Sequence, residues 1–251
     1  MALYKPNKWD KKVYEKMDLC ILSPIMHPRA PWIRSISNMI AYSWMNGLRV
    51  YELGYTEGQV VDWARGNLAK SFMTSPCTYT GKPYTHALWS DDDQVFLPDL
   101  ACVLARHFGN PMIDMVSAVY YRRTPPPLPC VYLKNHNAHE FAHYPIVVVP
   151  EALGEIDACG FGGVMMRRET LEKVPEPWFL IDHRGGEDII FCTEAKKHGV
   201  RIFVDGTYKM GHVGFPELIT EETYLKEMEI NKDKYIDRIK FSLDGKIVKE
   251  D

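Results

Sequence analysis

The sequence predicts an α/β domain with a mixed, mainly parallel central sheet flanked by helices. Three observations carry this expectation. Short apolar runs alternate with segments of helical periodicity through the first half, an order that favours parallel pairing through helical crossovers. The second half breaks the alternation, which favours a mixed sheet. A chain of 251 residues, 46% hydrophobic and 25% charged, also has enough apolar content to bury one sizeable core.

Each element follows from local pattern. Residues 18–24 form an apolar run closed by Pro24, read as a buried strand ending near Ser23. Residues 31–46 place Ile33, Ile36 and Ile40 at helical spacing and stop at Gly47. Residues 48–53 are strand-like. Val61, Ala64, Leu68 and Phe72 then form one stripe of a second helix, weakened at Gly66 by about 1 kcal/mol relative to alanine. Residues 85–89 read as a strand running straight into Asp91, Asp92 and Asp93. Residues 97–108 read as a helix with Gly109 as its cap, and 113–121 as a long strand. The proline-rich 124–129 is a stiff connector that cannot pair inside a sheet. Residues 146–149 and 163–166 are expected as short strands, 187–197 as a helix stopped at Gly199, and 200–204 as a strand. No internal repeat is present.

Composition excludes several classes. A formal charge of −3 removes the electrostatic basis for a general nucleic-acid coat. No apolar run is long enough to span a bilayer, and the first residues carry no apolar signal stretch. Six cysteines are spread singly without any CxxC, which reads as reduced thiols in a cytoplasmic protein.

In open α/β sheets, ligands bind beyond the carboxyl ends of the strands, where Ser23, the acidic triplet and Arg122 are expected. Three adjacent carboxylates delivered by an apolar strand repel one another unless a divalent cation offsets them, and oxygen ligands suit Mg2+ or Mn2+. A solvated capping turn is the structural alternative. Gly160, Gly162 and Gly163 let backbone approach a ligand closely, or simply make a tight turn. Glu187 and Asp188 open a helix after two glycines, as caps or as a general base. His212 stands between Gly211 and Gly214. His139-Glu-Phe-Ala-His143 matches the HExxH zinc-peptidase pattern, but Pro145 leaves room for only about one turn of helix there.

The order of acidic triplet, glycine turn, Glu-Asp and late histidine resembles the GT-A fold nucleotide-sugar glycosyltransferases. It is most similar to bacterial and viral sequences related to glycosyltransferase family 2, over about residues 18–214. The resemblance implies a D-x-D motif at Asp91 and Asp93, completed as a Mn2+ or Mg2+ site by His212. It implies donor contacts from Ser23, Pro24, Glu52, Arg65, Asp91 and Asp92, with Asn67 beside Arg65 on the same helix. The glycines at 160, 162 and 163 would face the acceptor, with Asp188 as base and Glu187 orienting sugar or acceptor. The activity so implied is metal-dependent transfer from a nucleotide sugar, a UDP-sugar, with inversion.

Residues 1–214 would form the transferase domain. Residues 215–251 would be a helical extension packed on it or at a homo-oligomer contact. The acceptor would be a glycan, a protein, a lipid-linked sugar or a modified DNA base, reached in the host cytoplasm if the protein is viral. Competing expectations are a metal-dependent nucleotide-binding or nucleotidyl-transfer protein, a lectin-like module, and an HExxH zinc metallopeptidase.

Overall fold

The computed structural model describes residues 3–135, 142–214, 218–231, 240–241 and 247–248, and of Glu52 and the last two pairs the backbone alone. Helix α1 (Lys8–Tyr14) starts at a reciprocal cap: Asn7 accepts from the Trp9 and Asp10 N–H groups, and Asp10 accepts from the Asn7 N–H. Strand β1 (Asp18–Ile25), helix α2 (Ala30–Met45), strand β2 (Arg49–Glu57) and helix α3 (Val61–Thr74) follow, with Pro31 in the first turn of α2. Next come β3 (His86–Trp89), β4 (Gln94–Val95), α4 (Leu100–Ala105) with a 3₁₀ turn at Arg106–Gly109, and β5 (Met115–Val119). The second half contains β6 (Val131–Lys134), β7 (His143–Pro145), β8 (Leu153–Ile156), β9 (Ala158–Cys159), a 3₁₀ turn at Phe161–Gly163 and β10 (Val164–Arg167). Helices α5 (Arg168–Lys173) and α6 (Glu187–Lys197), strands β11 (Ile202–Lys209), β12 (Gly211–Val213) and β13 (Leu218–Ile219), and helix α7 (Glu221–Ile230) complete the body.

Seven strands form the central sheet in the order β2-β1-β3-β10-β5-β11-β8. The pairs β1–β2, β1–β3 and β5–β11 are parallel, whereas β10 and β8 run against their neighbours. The mixed, mainly parallel sheet expected from sequence is therefore present. Its strands are apolar on both faces because both are covered. In β1, Cys20 and Leu22 pack with Leu68, Phe72 and Phe191, while Leu19 and Ile21 pack with Trp32, Met39 and Leu104 on the other face.

This topology builds a site at one edge of the sheet. The carboxyl ends of β1, β3, β5 and β11 share that edge, and the antiparallel β10 brings its amino end there, preceded by the turn Phe161–Gly163. Beyond β11 the chain enters β12, which pairs with β4 so that His212 lies opposite Gln94, and the Val213 N–H donates to the Asp93 carbonyl. The acidic segment and the late histidine are thus joined by backbone pairing.

Several boundaries differ from expectation. Residues 146–149 are not a strand; Pro145 and Pro150, which lack an N–H, bracket the run, and Val148 faces solvent. The strand forms just before it, at β7. The helix expected from 97 starts at Leu100, after a turn in which the Leu97 carbonyl accepts from both the Leu100 N–H and Tyr208 Oη. It ends in the 3₁₀ turn. The strand expected over 113–121 is confined to Met115–Val119, and the one expected over 200–204 is shifted to Ile202–Lys209. Of the HExxH pattern, His139 and Glu140 lie outside the described residues, and His143 opens β7. Beyond residue 214, α7 packs on the body through Tyr224, whose ring stacks on Tyr121 at 5.2 Å and whose hydroxyl donates to the Val147 carbonyl. The six cysteines are buried and free.

Two glycines make opposite predictions. Nothing lies within 4 Å of where a Cβ would stand on Gly66, whereas on Gly160 it would fall 2.0 Å from Tyr120 Oη. Gly66→Ala should stabilise by about 0.5–1 kcal/mol and raise the melting temperature by about 2 °C. Gly160→Ala should lower stability by about 1–3 kcal/mol. Thermal and urea unfolding followed by circular dichroism measure both.

Candidate functional site

A cleft of about 320 Å³ opens at this edge, lined by Pro24, Ile25, Met26, Gln59 and Val61 together with Arg65, Asp91, Asp92, Asp93, Tyr120, Arg123, Phe161, Glu187, Asp188 and His212. Its floor is ionic. Arg65 projects from the apolar stripe of α3, beside Ala64, Leu68 and Phe72, and is only 2% exposed. Its Nη2 donates to Asp91 Oδ1 at 2.7 Å and its Nε to Glu187 Oε1 at 3.0 Å. The guanidinium carbon lies 5.8 Å from the Trp89 ring centre and 5.4 Å from that of Phe161, and those rings pack with Phe179 and Phe191 beneath. Burial would weaken the Arg65 charge, but Asp91 and Glu187 more than offset it.

The three aspartates have three different surroundings. Asp91 faces Arg65; burial raises its carboxyl, Arg65 pulls it down, and Asp93 and Glu187 push it up again, leaving it above its ordinary value. Asp92 also lines the cleft, and it accepts the Met26 and His27 N–H groups at 2.8 and 2.7 Å, pinning the segment after β1. Asp93 holds an ion pair with Arg123 at 3.0 Å through Oδ2, and its Oδ1 lies 3.2 Å from His212 Nε2. Burial would raise the Asp93 carboxyl, but His212 and Arg123 hold it below the usual range.

His212 shows what this corner can bind. Its Nδ1 is 2.8 Å from the Tyr121 carbonyl, which can only accept, so Nδ1 carries the proton. In the neutral ring, the Nε2 lone pair then points at Asp93 Oδ1, a buried oxygen with no hydrogen-bond partner. Two acceptors facing each other need a proton or a cation between them. An imidazole nitrogen with a carboxylate fits Mn2+ or another divalent ion. Among the described residues no three His, Cys, Asp or Glu side chains converge as a complete cage. Asp93 and His212 would therefore supply part of a shell that ligand and water oxygens complete, and Asp91 is already engaged by Arg65.

At the start of α6, Asp188 shares the cleft wall with Glu187. Burial and the neighbouring Glu187 charge push its carboxyl up to about 6, against the opposing pull of Arg65. Its Oδ1 accepts the Ile189 N–H at 2.7 Å. Such a group is ionised at neutral pH yet binds a proton readily, as a general base requires.

The remaining expected residues fall into place as follows. Pro24 lines the cleft, but the Ser23 hydroxyl donates to the Ser90 carbonyl and is buried. Glu52 lies in β2 opposite Cys20, and its side chain is outside the described residues. Gly160, Gly162 and Gly163 are packed against Tyr120, Gln94 and Met210, with the Gly162 N–H donating to Tyr120 Oη. Phe161 supplies the cleft face of that turn. Sequence reasoning did not single out Gln59, Tyr120 or Phe161. The one available signal was Arg65 itself, a charge on the apolar face of a helix, because such a charge needs buried partners.

Removing Arg65 tests the floor. Arg65→Met leaves Asp91 and Glu187 facing each other without a cation and should cost about 3–5 kcal/mol in urea unfolding. Arg65→Lys keeps the charge but not both contacts, and should cost less.

No protein-family model matches the chain, and no curated protein is similar to it in sequence. Solved structures are similar in fold. Protein A197 from STIV is 23% identical, with a TM-score of 0.52, over 81% of this chain and 94% of that one. GalNAc-T7, solved with UDP, GalNAc and Mn2+, is 11% identical with a TM-score of 0.51, over 88% of this chain and 49% of that one. The chain thus spans about half the length of GalNAc-T7. Together with the sheet order, these likenesses identify the fold as GT-A-like.

Proposed function

We propose that the protein is a divalent-metal-dependent glycosyltransferase that moves a sugar from a uridine diphosphate donor to an acceptor hydroxyl. The observation that carries this reading is a single cleft joining the facing Asp93–His212 pair to a buried carboxyl, Asp188, raised to about 6. The UDP and Mn2+ in the GalNAc-T7 structure support the same donor and ion. Residues 1–214 form the transfer unit and 215–251 an extension of it. Six buried free thiols suit a reducing compartment such as the cytoplasm.

Asp93 and His212 would hold the cation, which when bound would act as a Lewis acid that offsets charge on the departing diphosphate. Arg123, about half exposed and paired to Asp93 Oδ2, would offer its guanidinium to a phosphate oxygen. Arg65 keeps Asp91 and Glu187 in position beneath the sugar. Asp188 takes the proton from the acceptor hydroxyl as its oxygen bonds to the anomeric carbon and the bond to the diphosphate oxygen breaks. Attack from the side opposite the leaving group inverts that centre. A nucleotide-binding or nucleotidyl-transfer role leaves Asp188 without work. Product formation from UDP-sugars, with a panel of acceptor alcohols, tests the reading; its absence with every donor would contradict it.

Two further outcomes follow. Transfer should stop in excess EDTA and return with Mn2+ at least as well as with Mg2+, because a nitrogen ligand favours Mn2+. Asp93→Ala and His212→Ala should each raise the Mn2+ concentration needed for half-maximal rate.

Asp188→Asn should lower kcat by about 10²–10⁴-fold with little change in donor affinity. The wild-type rate should fall below pH 6, as Asp188 takes up its proton. Stability moves the other way. A carboxyl raised from 3.8 to about 6 on folding destabilises the native state progressively as pH rises between those values. The asparagine variant should therefore melt higher than wild type at pH 7.5 and lose that advantage near pH 4.

A further inference from the structure

The outer face of α1 is basic and carries an exposed tryptophan. The inner face is buried and satisfied: Tyr14 donates from Oη to the Cys102 carbonyl at 2.6 Å, and Asp10 accepts from Tyr4 Oη and the Asn7 N–H. Lys5, Lys8, Lys11, Lys12 and Lys16 are left in solvent, with Glu15 as the one exposed acid between residues 5 and 16. Among the described residues none of these lysines forms an ion pair. Positive charge is thus gathered on one face of a chain whose formal charge is −3. Trp9 stands among the lysines and is 63% exposed, with Lys12 Nζ 4.7 Å and Lys8 Nζ 5.3 Å from its ring centre. The last turn of α2 adjoins this face, because Tyr42 Oη donates to the Tyr4 carbonyl, and it exposes Trp44 and Met45. Arg49 Nη2 donates to the Glu15 carbonyl at 2.8 Å and adds a further cation there.

We propose that this face docks on a bilayer of anionic lipid, the lysines meeting the headgroups and Trp9 entering the interface. The inference stands apart from the transfer reading. Each lysine near an anionic leaflet strengthens binding by about fivefold, and the attraction of several is summed. An indole suits the interface because its ring is apolar while its N–H still finds a polar partner. A nucleic acid fits less well. The face is a convex helix rather than a groove, and ammonium groups lie over the Trp9 ring, where a base would have to stack. Helix α1 leads within a few residues into the amino end of β1, whereas the cleft opens at the carboxyl ends. A bilayer held by α1 therefore leaves the cleft open.

The test is co-sedimentation of the full chain with vesicles of phosphatidylcholine alone and of phosphatidylcholine mixed equally with phosphatidylglycerol. Wild type should bind the mixed vesicles at low salt, leave them at high salt, and ignore phosphatidylcholine. Lys8→Glu together with Lys12→Glu should weaken binding to mixed vesicles by about 25-fold or more, since each change removes an attraction and adds a repulsion. Trp9→Ala should weaken it several-fold, and Trp9→Phe, which keeps an apolar ring, by less. Melting temperatures near wild type would show that the variants are folded. Absence of binding to the mixed vesicles would overturn the proposal, as would equal binding by the lysine variant or by Trp9→Ala. Tighter binding to duplex DNA than to mixed vesicles at the same salt would also overturn it and assign the face to nucleic acid. The readout needs no sugar donor, so failure of the transfer reading would leave it standing.

Discussion

One buried guanidinium organises the cleft. Arg65 is held by a carboxylate from the end of β3 and another from the start of α6, 26 and 122 residues away in sequence. Burying a charge is costly unless it is paired and hydrogen-bonded, and here both acids pair with it while aromatic rings lie beneath. The constraint works in both directions. Asp91 and Glu187 tolerate each other's proximity only because Arg65 lies between them, and the start of α6, carrying Asp188, is fixed by the same contact. The resemblance implies that Arg65 contacts the donor; Arg65 lines the cleft and at the same time holds both acids.

The charge balance of the cleft is then the physical ground for the proposed cation. Asp91, Asp92, Asp93, Glu187 and Asp188 are set against Arg65, Arg123 and His212. Arg65 is engaged by two acids through Nε and Nη2, and the Asp91 and Asp188 carboxyls remain raised despite it. The local field is thus negative, and Asp93 Oδ1 against His212 Nε2 is one of its unsatisfied points. A divalent ion relieves both the repulsion among the acids and the confrontation of two acceptors. It also makes the cleft receptive to a diphosphate, which a bare cluster of carboxylates would repel. Metal and nucleotide should therefore bind cooperatively.

Much of this was legible in the sequence because the strongest signals are local. The apolar run ending at Trp89 announced both β3 and the place where the aspartates emerge, and the Gly-Gly before Glu187 announced the start of α6. Long-range facts were not legible. Nothing local tells that Asp92 caps backbone after β1 while Asp93 turns to His212, since that depends on β4 pairing with β12. The glycines at 160, 162 and 163 signalled a close approach, but the partners are Tyr120, Gln94 and Met210. Strand β8 carries Gly154 and little β propensity, and it exists because β11 offers an edge. The apolar 146–149 has the propensity, but its pairing ends at the Ile146 N–H bond to the Val131 carbonyl.

The central claim is that Asp93 and His212 bind a divalent ion together with a nucleoside diphosphate. Electron paramagnetic resonance measures it directly, because free hexaaqua Mn2+ gives a sharp six-line signal that is lost on binding. The account predicts that protein with saturating UDP removes this signal, that protein alone removes it weakly, and that His212→Ala with UDP restores most of what is lost. A free Mn2+ signal left unchanged by wild-type protein and UDP would contradict it.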